Sequence, residues 1–188
     1  MSAFDHIREA ISSLIQSPAA ESAPRHIDNE GPCPYLASYH TYFLNYEIAY
    51  QQYQNAVHRP YMEDSVQVIE DFLPQYPLFV AVFDGHGGAF AMEYCMRYLS
   101  KEVQQALFET GRPEEALSLA FERVDGGLMK RQAGNVGTTA TVCLLSTQGV
   151  IYTANVGDSD AYLVSPGETI TLTETHRCDN ASERERLL

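Results

Sequence analysis

A continuous apolar run, Leu78-Phe79-Val80-Ala81-Val82-Phe83, leads directly into Asp84-Gly85-His86-Gly87-Gly88. The run is short and rich in β-branched and aromatic residues, and it predicts a fully buried strand. The segment after it is helical in period: Ala91, Tyr94, Cys95, Tyr98, Leu99, Val103 and Leu107 share one face of a helix over 89–108. A buried strand feeding a long amphipathic helix through a glycine-rich turn restricts the chain to folds in which helices pack on a sheet. The same turn sets an acid and a histidine at a strand end, where the backbone can approach an ion closely. Metal-assisted hydrolysis needs that arrangement of a rigidly held carboxylate beside a proton donor.

The flanking sequence extends the pattern. Val66 to Ile69 predicts a strand, and Ile48-Ala49-Tyr50-Gln51 shows strand alternation within a segment rich in tyrosine and glutamine. A second helix opens at Pro113, a favoured first-turn residue, and carries Ala116, Leu117, Ala120, Phe121, Val124 and Leu128. Strands then return at 138–145, 150–156, 161–164 and 169–172, joined by Ser146-Thr147-Gln148-Gly149 and Ser165-Pro166-Gly167-Glu168. Short turns between closely spaced strands imply antiparallel pairing. The fold class is therefore α+β, mainly antiparallel strands with two long helices packed on them. The strands at 138–145 and 150–156 are apolar enough to predict cover on both faces. Ser182-x-x-Glu185 marks the start of a last, short helix.

Before the domain, Phe4, Ile7, Ile11, Leu14 and Ile15 recur at helical spacing, so residues 1–16 read as an amphipathic helix. It docks on the domain's own surface or serves a partner or targeting role; Asp5 and Glu9 argue against a transit peptide. Residues 17–38, with four prolines and several Ser and Ala, read as a linker, leaving 39–188 as the domain. A formal net charge of -13 over 188 residues disfavours nucleic-acid and anionic-membrane partners. Cys33, Cys95, Cys143 and Cys178 lack a metal or secretory spacing, and no apolar run is long enough to span a bilayer. The expected setting is intracellular, cytoplasmic or nuclear.

Three further motifs decide the functional reading. Upstream lies Arg59-Pro60-Tyr61-Met62-Glu63-Asp64, and downstream lie Gly137-Thr138-Thr139-Ala140 and Gly157-Asp158-Ser159. Taken singly, Glu63-Asp64 is a solvated loop, Arg59 a surface cation and Asp158 a turn-stabilising residue. Together and in this order, the four motifs resemble those of the metal-dependent protein serine/threonine phosphatases, the type 2C or PPM family, over residues 45 to 188.

The resemblance implies a β-sandwich with helices on its outer faces and Mg2+ or Mn2+ in a cleft at one end. It implies that Asp84 bridges two ions, that the Gly85 carbonyl and Glu63 are further ligands, and that Asp64 orients metal-bound water. Arg59 then matches the phosphate-binding arginine, and His86 the acid that protonates the leaving oxygen of a phosphorylated protein substrate. Asp158 matches a residue near a third, weakly held ion, with the turn-stabilising role equally open. The family carries two more metal-binding aspartates in motifs beyond residue 188, so the chain reads as a partial sandwich whose C-terminal part is missing. A weak or inactive site is expected unless a C-terminal half or a protein partner completes it. A short pseudophosphatase acting as an interaction module, and a hydrolase of small phosphate esters, are the alternatives. Three departures from the family pattern stand out: Asp160 in place of arginine, Thr175 in place of aspartate before His176, and Cys178 in place of proline.

Overall fold

The computed structural model of the chain describes residues 36–43, 46–55, 57–131 and 134–188. The expected helix over 1–16 lies outside the described residues, as does the expected linker as far as residue 35. The chain divides into two compact units, one of Met1–Met62 with Gln148–Val150, the other of Glu63–Thr147 with Ile151–Leu188.

In the first unit β1 (Leu36–Phe43) and β2 (Tyr46–Tyr53) form an antiparallel hairpin, in register from Leu36 opposite Tyr53 to Phe43 opposite Tyr46. β1 thus begins inside the span assigned to the linker. Along β2, half-buried and exposed residues alternate strictly, the period of a strand with one covered face.

The second unit is built on one antiparallel sheet. β3 (Asp64–Leu73), β4 (Tyr76–His86), β6 (Ala140–Leu145) and β7 (Ile151–Val156) lie side by side in the order β3-β4-β6-β7. The two-residue β5 (Gly137–Thr138) also pairs with β4. Gly85 faces Thr138 and Val82 faces Thr141, so β5 continues β6 in the same register past Thr139. β8 (Tyr162–Ser165) and β9 (Glu168–Thr171) form a separate hairpin turned by Pro166-Gly167.

Two helices, α1 (Phe90–Thr110) and α2 (Pro113–Lys130), cover one face of this sheet. α1 stops at Gly111, which takes the left-handed conformation (φ 64°) and donates its N–H to the Leu107 carbonyl at 3.0 Å. The short link then lets α2 fold back along α1, where Arg123 pairs with Glu109 at 2.6 Å. Phe79, Ala81 and Phe83 of β4 and Val142 and Leu144 of β6 point at the helices and are completely buried with Val103, Ala106, Ala116 and Ala120. Side-chain amides fasten the layers: Gln67 donates to the Met96 carbonyl at 3.0 Å and Gln104 to the Phe72 carbonyl at 3.1 Å.

The opposite face differs from the expectation of strands buried on both sides. Val80 is only half-buried and Val82 is 41% exposed, because alternate residues of an antiparallel strand point away from the helix layer. β6 is largely buried, whereas β7 is half-buried. Over part of this second face lies the segment after β7. Thr153 Oγ1 donates to the Leu172 carbonyl at 2.9 Å and Asn155 Nδ2 to the Glu174 carbonyl at 2.6 Å. The last helix, α3 (Ala181–Leu187), is capped by Asn180, whose side chain accepts the Ser182 N–H at 3.1 Å. Ser182 therefore sits inside the helix, two residues past the true cap, because the asparagine oxygen reaches that amide first.

Candidate active site

β3 and β4 place the acidic residues. Their register sets Asp64 directly opposite Asp84. Two carboxylates so placed bring like charges side by side across the antiparallel pair. Both are exposed, at the end of the sheet where β4 runs into the glycine turn. By parity along β4, Asp84 and His86 point to the face away from the helices, while Gly85 between them is buried.

Gly85 is glycine for a packing reason. Its N–H donates to the Glu63 carbonyl at 3.1 Å, and a Cβ there would come within 2.5 Å of that same oxygen. The Glu63 side chain reaches the far end of the turn, where its Oε1 accepts the Gly88 N–H at 2.5 Å. This carboxylate serves the start of α1, whose own cap residue Ala89 makes no side-chain capping bond.

On its other side Asp84 meets Thr139. The Thr139 N–H donates to the Asp84 carbonyl at 2.8 Å, and the Asp84 N–H donates to Thr139 Oγ1 at 3.1 Å. That hydroxyl also lies 2.7 Å from the Ser159 hydroxyl, and Thr141 Oγ1 donates to the Ser159 carbonyl at 2.5 Å. Gly157, at φ 98°, lets the turn approach: a Cβ there would lie 2.6 Å from Thr139 Cγ2. Gly137 serves His86 in the same manner, since a Cβ would come within 2.6 Å of the imidazole Nε2. Glu63, Asp64, Asp84, Gly85 and His86 are thus gathered at one end of the sheet, and Thr139 ties the Asp-Ser turn to them. Thr139 is one residue the sequence reading missed.

Asp158 lies in that turn, exposed, with the Arg177 guanidinium 3.6 Å away. His176 secures the approach of the two segments: its N–H donates to the Gly157 carbonyl at 2.9 Å, and its Nδ1 accepts the Gly157 N–H at 3.3 Å. Two departures from the family pattern meet here. Asp160 accepts hydrogen bonds from the hydroxyls of Thr175 (2.8 Å), Tyr162 (3.0 Å) and Thr173 (3.2 Å). A second carboxylate at position 175 would repel Asp160; threonine donates to it instead. The Thr175, Tyr162 and Thr173 hydroxyls hold the Asp160 carboxyl below its ordinary range.

Arg59 belongs to the first unit. There Gln54, almost completely buried, donates its amide to the Arg59 carbonyl at 2.8 Å, and the Arg59 N–H donates to the Asn55 carbonyl at 2.8 Å. Gln54 fixes the backbone of this arginine, a role its sequence gives no sign of.

Beside the His86 imidazole, the sheet end offers oxygens, the Gly85 carbonyl and the three carboxylates of Glu63, Asp64 and Asp84, which suits a hard divalent cation. Among the described residues, no three His, Cys, Asp or Glu side chains surround one point as a complete cage. The oxygens present suit the chemistry of a hard cation without forming a cage by themselves. Thiol chemistry has no comparable support: burial, with Asp125 adding to it, pushes Cys95 up to about 11, and burial raises Cys143 as well.

The sequence pattern of the protein phosphatase 2C family matches residues 58–188, more than half of the chain. The chain belongs to the protein phosphatase 2C family. That family is metal-dependent. Protein phosphatase 2C homolog 1 of Saccharomyces cerevisiae is 30% identical over 165 residues, covering 78% of this chain and 59% of that protein. Probable protein phosphatase 2C 11 of Arabidopsis thaliana is 29% identical over 181 residues, covering 91% of this chain and 48% of that protein. The chain thus spans about half the length of these curated relatives. The fold agrees: the Toxoplasma gondii serine-threonine phosphatase 2C superposes with a TM-score of 0.59 at 21% identity, over 69% of this chain and 50% of that one. A C. elegans sex determining protein gives the same TM-score and identity over 98% of this chain and 44% of its own. The α+β fold of antiparallel strands and packed helices is that of the family.

Proposed function

We propose that the chain is part of a metal-dependent protein phosphatase that hydrolyses phosphoserine and phosphothreonine. The observation that carries this reading is the Asp64–Asp84 pair, set face to face on β3 and β4 with Glu63, Gly85 and His86 beside it. A phosphate monoester dianion repels nucleophiles, so hydrolysis requires charge neutralisation and a source of hydroxide. Mg2+ or Mn2+, when bound, supplies both. Asp84, the Gly85 carbonyl and Glu63 would hold the cation, with Asp64 accepting a hydrogen bond from the attacking water. Arg59, whose planar fork suits phosphoryl oxygens, keeps the phosphate-binding role that the resemblance implies. His86 delivers a proton to the leaving serine or threonine oxygen. Asp158 belongs to the edge of this site as a weaker cation ligand. Free thiols at Cys95, Cys143 and Cys178 support a reducing, intracellular setting, and no described helix is long and apolar enough to cross a membrane.

We infer further that this chain by itself turns over slowly, since the described side chains do not complete a cage. Mn2+ binding and aryl-phosphate hydrolysis, measured on the wild type and Asp84→Asn, test both statements. The expected result is Mn2+ binding weakened at least tenfold by Asp84→Asn, with negligible hydrolysis by either protein at excess Mn2+. Mn2+ binding indifferent to Asp84 would overturn the metal-dependent reading. Robust turnover abolished by Asp84→Asn would overturn only the incomplete site.

A further inference from the structure

Arg131, just past the end of α2, is an exposed cation that the fold fixes without an acid. Acidic residues outnumber Lys and Arg by 25 to 12, and Arg112, Arg123, Arg177 and Arg186 each pair with a carboxylate. Among the described residues, Arg131 and the exposed Lys130 and Arg97 have no carboxylate within 4 Å, Glu93 of the same end of α1 included. The Arg131 guanidinium is held nevertheless. Its NH1 donates to the Tyr94 hydroxyl and to the Gly127 carbonyl, both at 3.1 Å, and it lies 4.8 Å from the Tyr94 ring centroid. Phe90, 43% exposed, extends the aromatic surface by one turn, its ring centroid 6.3 Å from that of Tyr94. A guanidinium that has already given up rotamer freedom binds an anion at lower entropic cost.

The patch adjoins the candidate active site along the chain in both directions. α1 opens at Phe90, four residues after His86. Beyond Arg131 the chain returns to the same turn: a Cβ on Gly87 would overlap the Asn135 carbonyl, one on Gly88 would touch Val136, and one on Gly137 would strike the His86 imidazole. We propose that Arg131, with Lys130 and Arg97 around the Phe90–Tyr94 surface, binds acidic residues that flank the phosphorylated serine or threonine of a protein substrate. The proposal rests on the phosphatase reading above and adds to it a preference of sequence. With a net charge of -13 the chain as a whole disfavours acidic segments, so a cationic surface without internal acids, beside the catalytic turn, is where one is accepted. An extended peptide advances about 3.3 Å per residue, so residues about three to five positions from the phosphate span two to three turns of a helix such as α1.

Fluorescence anisotropy of labelled phosphoserine peptides tests this, with Glu, Ala or Lys at those positions on either side and the unphosphorylated peptides as controls. The proteins are the full 188-residue chain with Mn2+ as wild type, Arg131→Gln, Arg131→Glu and Lys130→Glu, each checked by thermal melt. At low salt the wild type should bind the Glu-flanked phosphopeptide about 3- to 10-fold more tightly than the Lys-flanked one, and the ratio should shrink as salt rises. Arg131→Gln should bring the ratio near one and Arg131→Glu should invert it. Lys130→Glu, which leaves the Tyr94 contacts in place, should shift it in the same direction. A wild type without preference for the Glu-flanked peptide would overturn the proposal, as would a preference that survives Arg131→Glu and Lys130→Glu. A melt lowered by Arg131→Gln with the preference intact would leave Arg131 a helix-end residue only and would overturn it too. The unphosphorylated peptides separate the two failures. Binding that needs the phosphate but ignores Arg131 keeps the phosphatase reading and removes the anchor; an Arg131-dependent preference indifferent to the phosphate keeps the acidic-segment site and counts against the phosphatase reading.

Discussion

Glu63 carries two tasks on one carboxylate, and they can be separated by substitution. Its Oε1 accepts the Gly88 N–H, fixing the turn ahead of α1, and its charge faces the positive end of that helix. A glutamine keeps an oxygen acceptor and loses the charge, whereas an alanine loses both. In metal-free chelator, Glu63→Ala should cost about 1–2 kcal/mol in denaturant unfolding, and Glu63→Gln less than half as much. Both should weaken Mn2+ binding. Equal stability loss in the two variants would show that the Gly88 contact contributes nothing. The same residue marks what sequence could reveal. Glu63, Asp84, Gly85 and His86 stand in short motifs whose glycines and strand end are visible locally. Thr139 acts on Asp84 across 55 residues of chain, and only the register of β4 with β5 and β6 brings its hydroxyl there. Gln54 was hidden for another reason: it lies only five residues from Arg59, in a segment with no motif to mark it.

At the scale of elements, α1 and α2 are riveted by Tyr94, whose ring packs at a 41° tilt against Tyr98 of its own helix, centroids 4.5 Å apart. Arg131 donates to the Tyr94 hydroxyl and to the Gly127 carbonyl, both at 3.1 Å, with its guanidinium 4.8 Å above the ring. The paired glycines of α2 then have opposite fates. A Cβ at Gly126 meets nothing within 4 Å, while one at Gly127 would overlap the Tyr94 hydroxyl. Gly126→Ala should stabilise by about 0.5–1 kcal/mol through helix propensity alone. Gly127→Ala gains the same propensity but must push Tyr94 off Arg131, so it should fall at least ~1 kcal/mol below Gly126→Ala. Parallel thermal melts decide it; two variants of equal stability would mean Tyr94 relocates without loss. The helices themselves were plain from periodicity and from Pro113. Their rivet was not, because a glycine inside a helix announces a close approach without saying to what.

A second device at this scale is pH-dependent. Asp160 gathers the hydroxyls of Thr175, Tyr162 and Thr173 around the β8–β9 hairpin and the segment after it. Those bonds lower its folded carboxyl below the unfolded value. The contribution is therefore fully present above the ordinary carboxylate range and is lost as pH falls through the lowered folded value. Amide exchange of Thr173 and Thr175 should accelerate on acidification in the wild type. Asp160→Asn should show faster exchange at neutral pH and a flatter acid response. An acid response unchanged in Asp160→Asn would place the titrating group elsewhere.

For the molecule as a whole, the decisive contrast lies between the two faces of the main sheet. Under the helices Phe79, Phe83, Val142 and Leu144 have no exposure at all, while on the other face Val82 is 41% exposed. Tyr162 and Val164 of the β8–β9 hairpin are 55% and 70% exposed. β3 and β7 end the sheet on either side among the described residues, and β7 is Ile-Tyr-Thr-Ala-Asn-Val, rich in β-branched residues. Exposed apolar side chains, together with an edge strand of this composition, favour association. The purified chain should bind a hydrophobic dye and scatter as more than a monomer at tens of micromolar. Val82→Thr with Val164→Thr should reduce both signals while leaving the melting temperature within a few degrees, since neither side chain belongs to the buried core. A dye-negative monomer with one cooperative melt would show that these side chains are individually tolerated surface residues and that the sheet needs no further cover. Dye binding unchanged by the double substitution would move the associating surface elsewhere, with Phe108, 88% exposed at the end of α1, the next residue to replace.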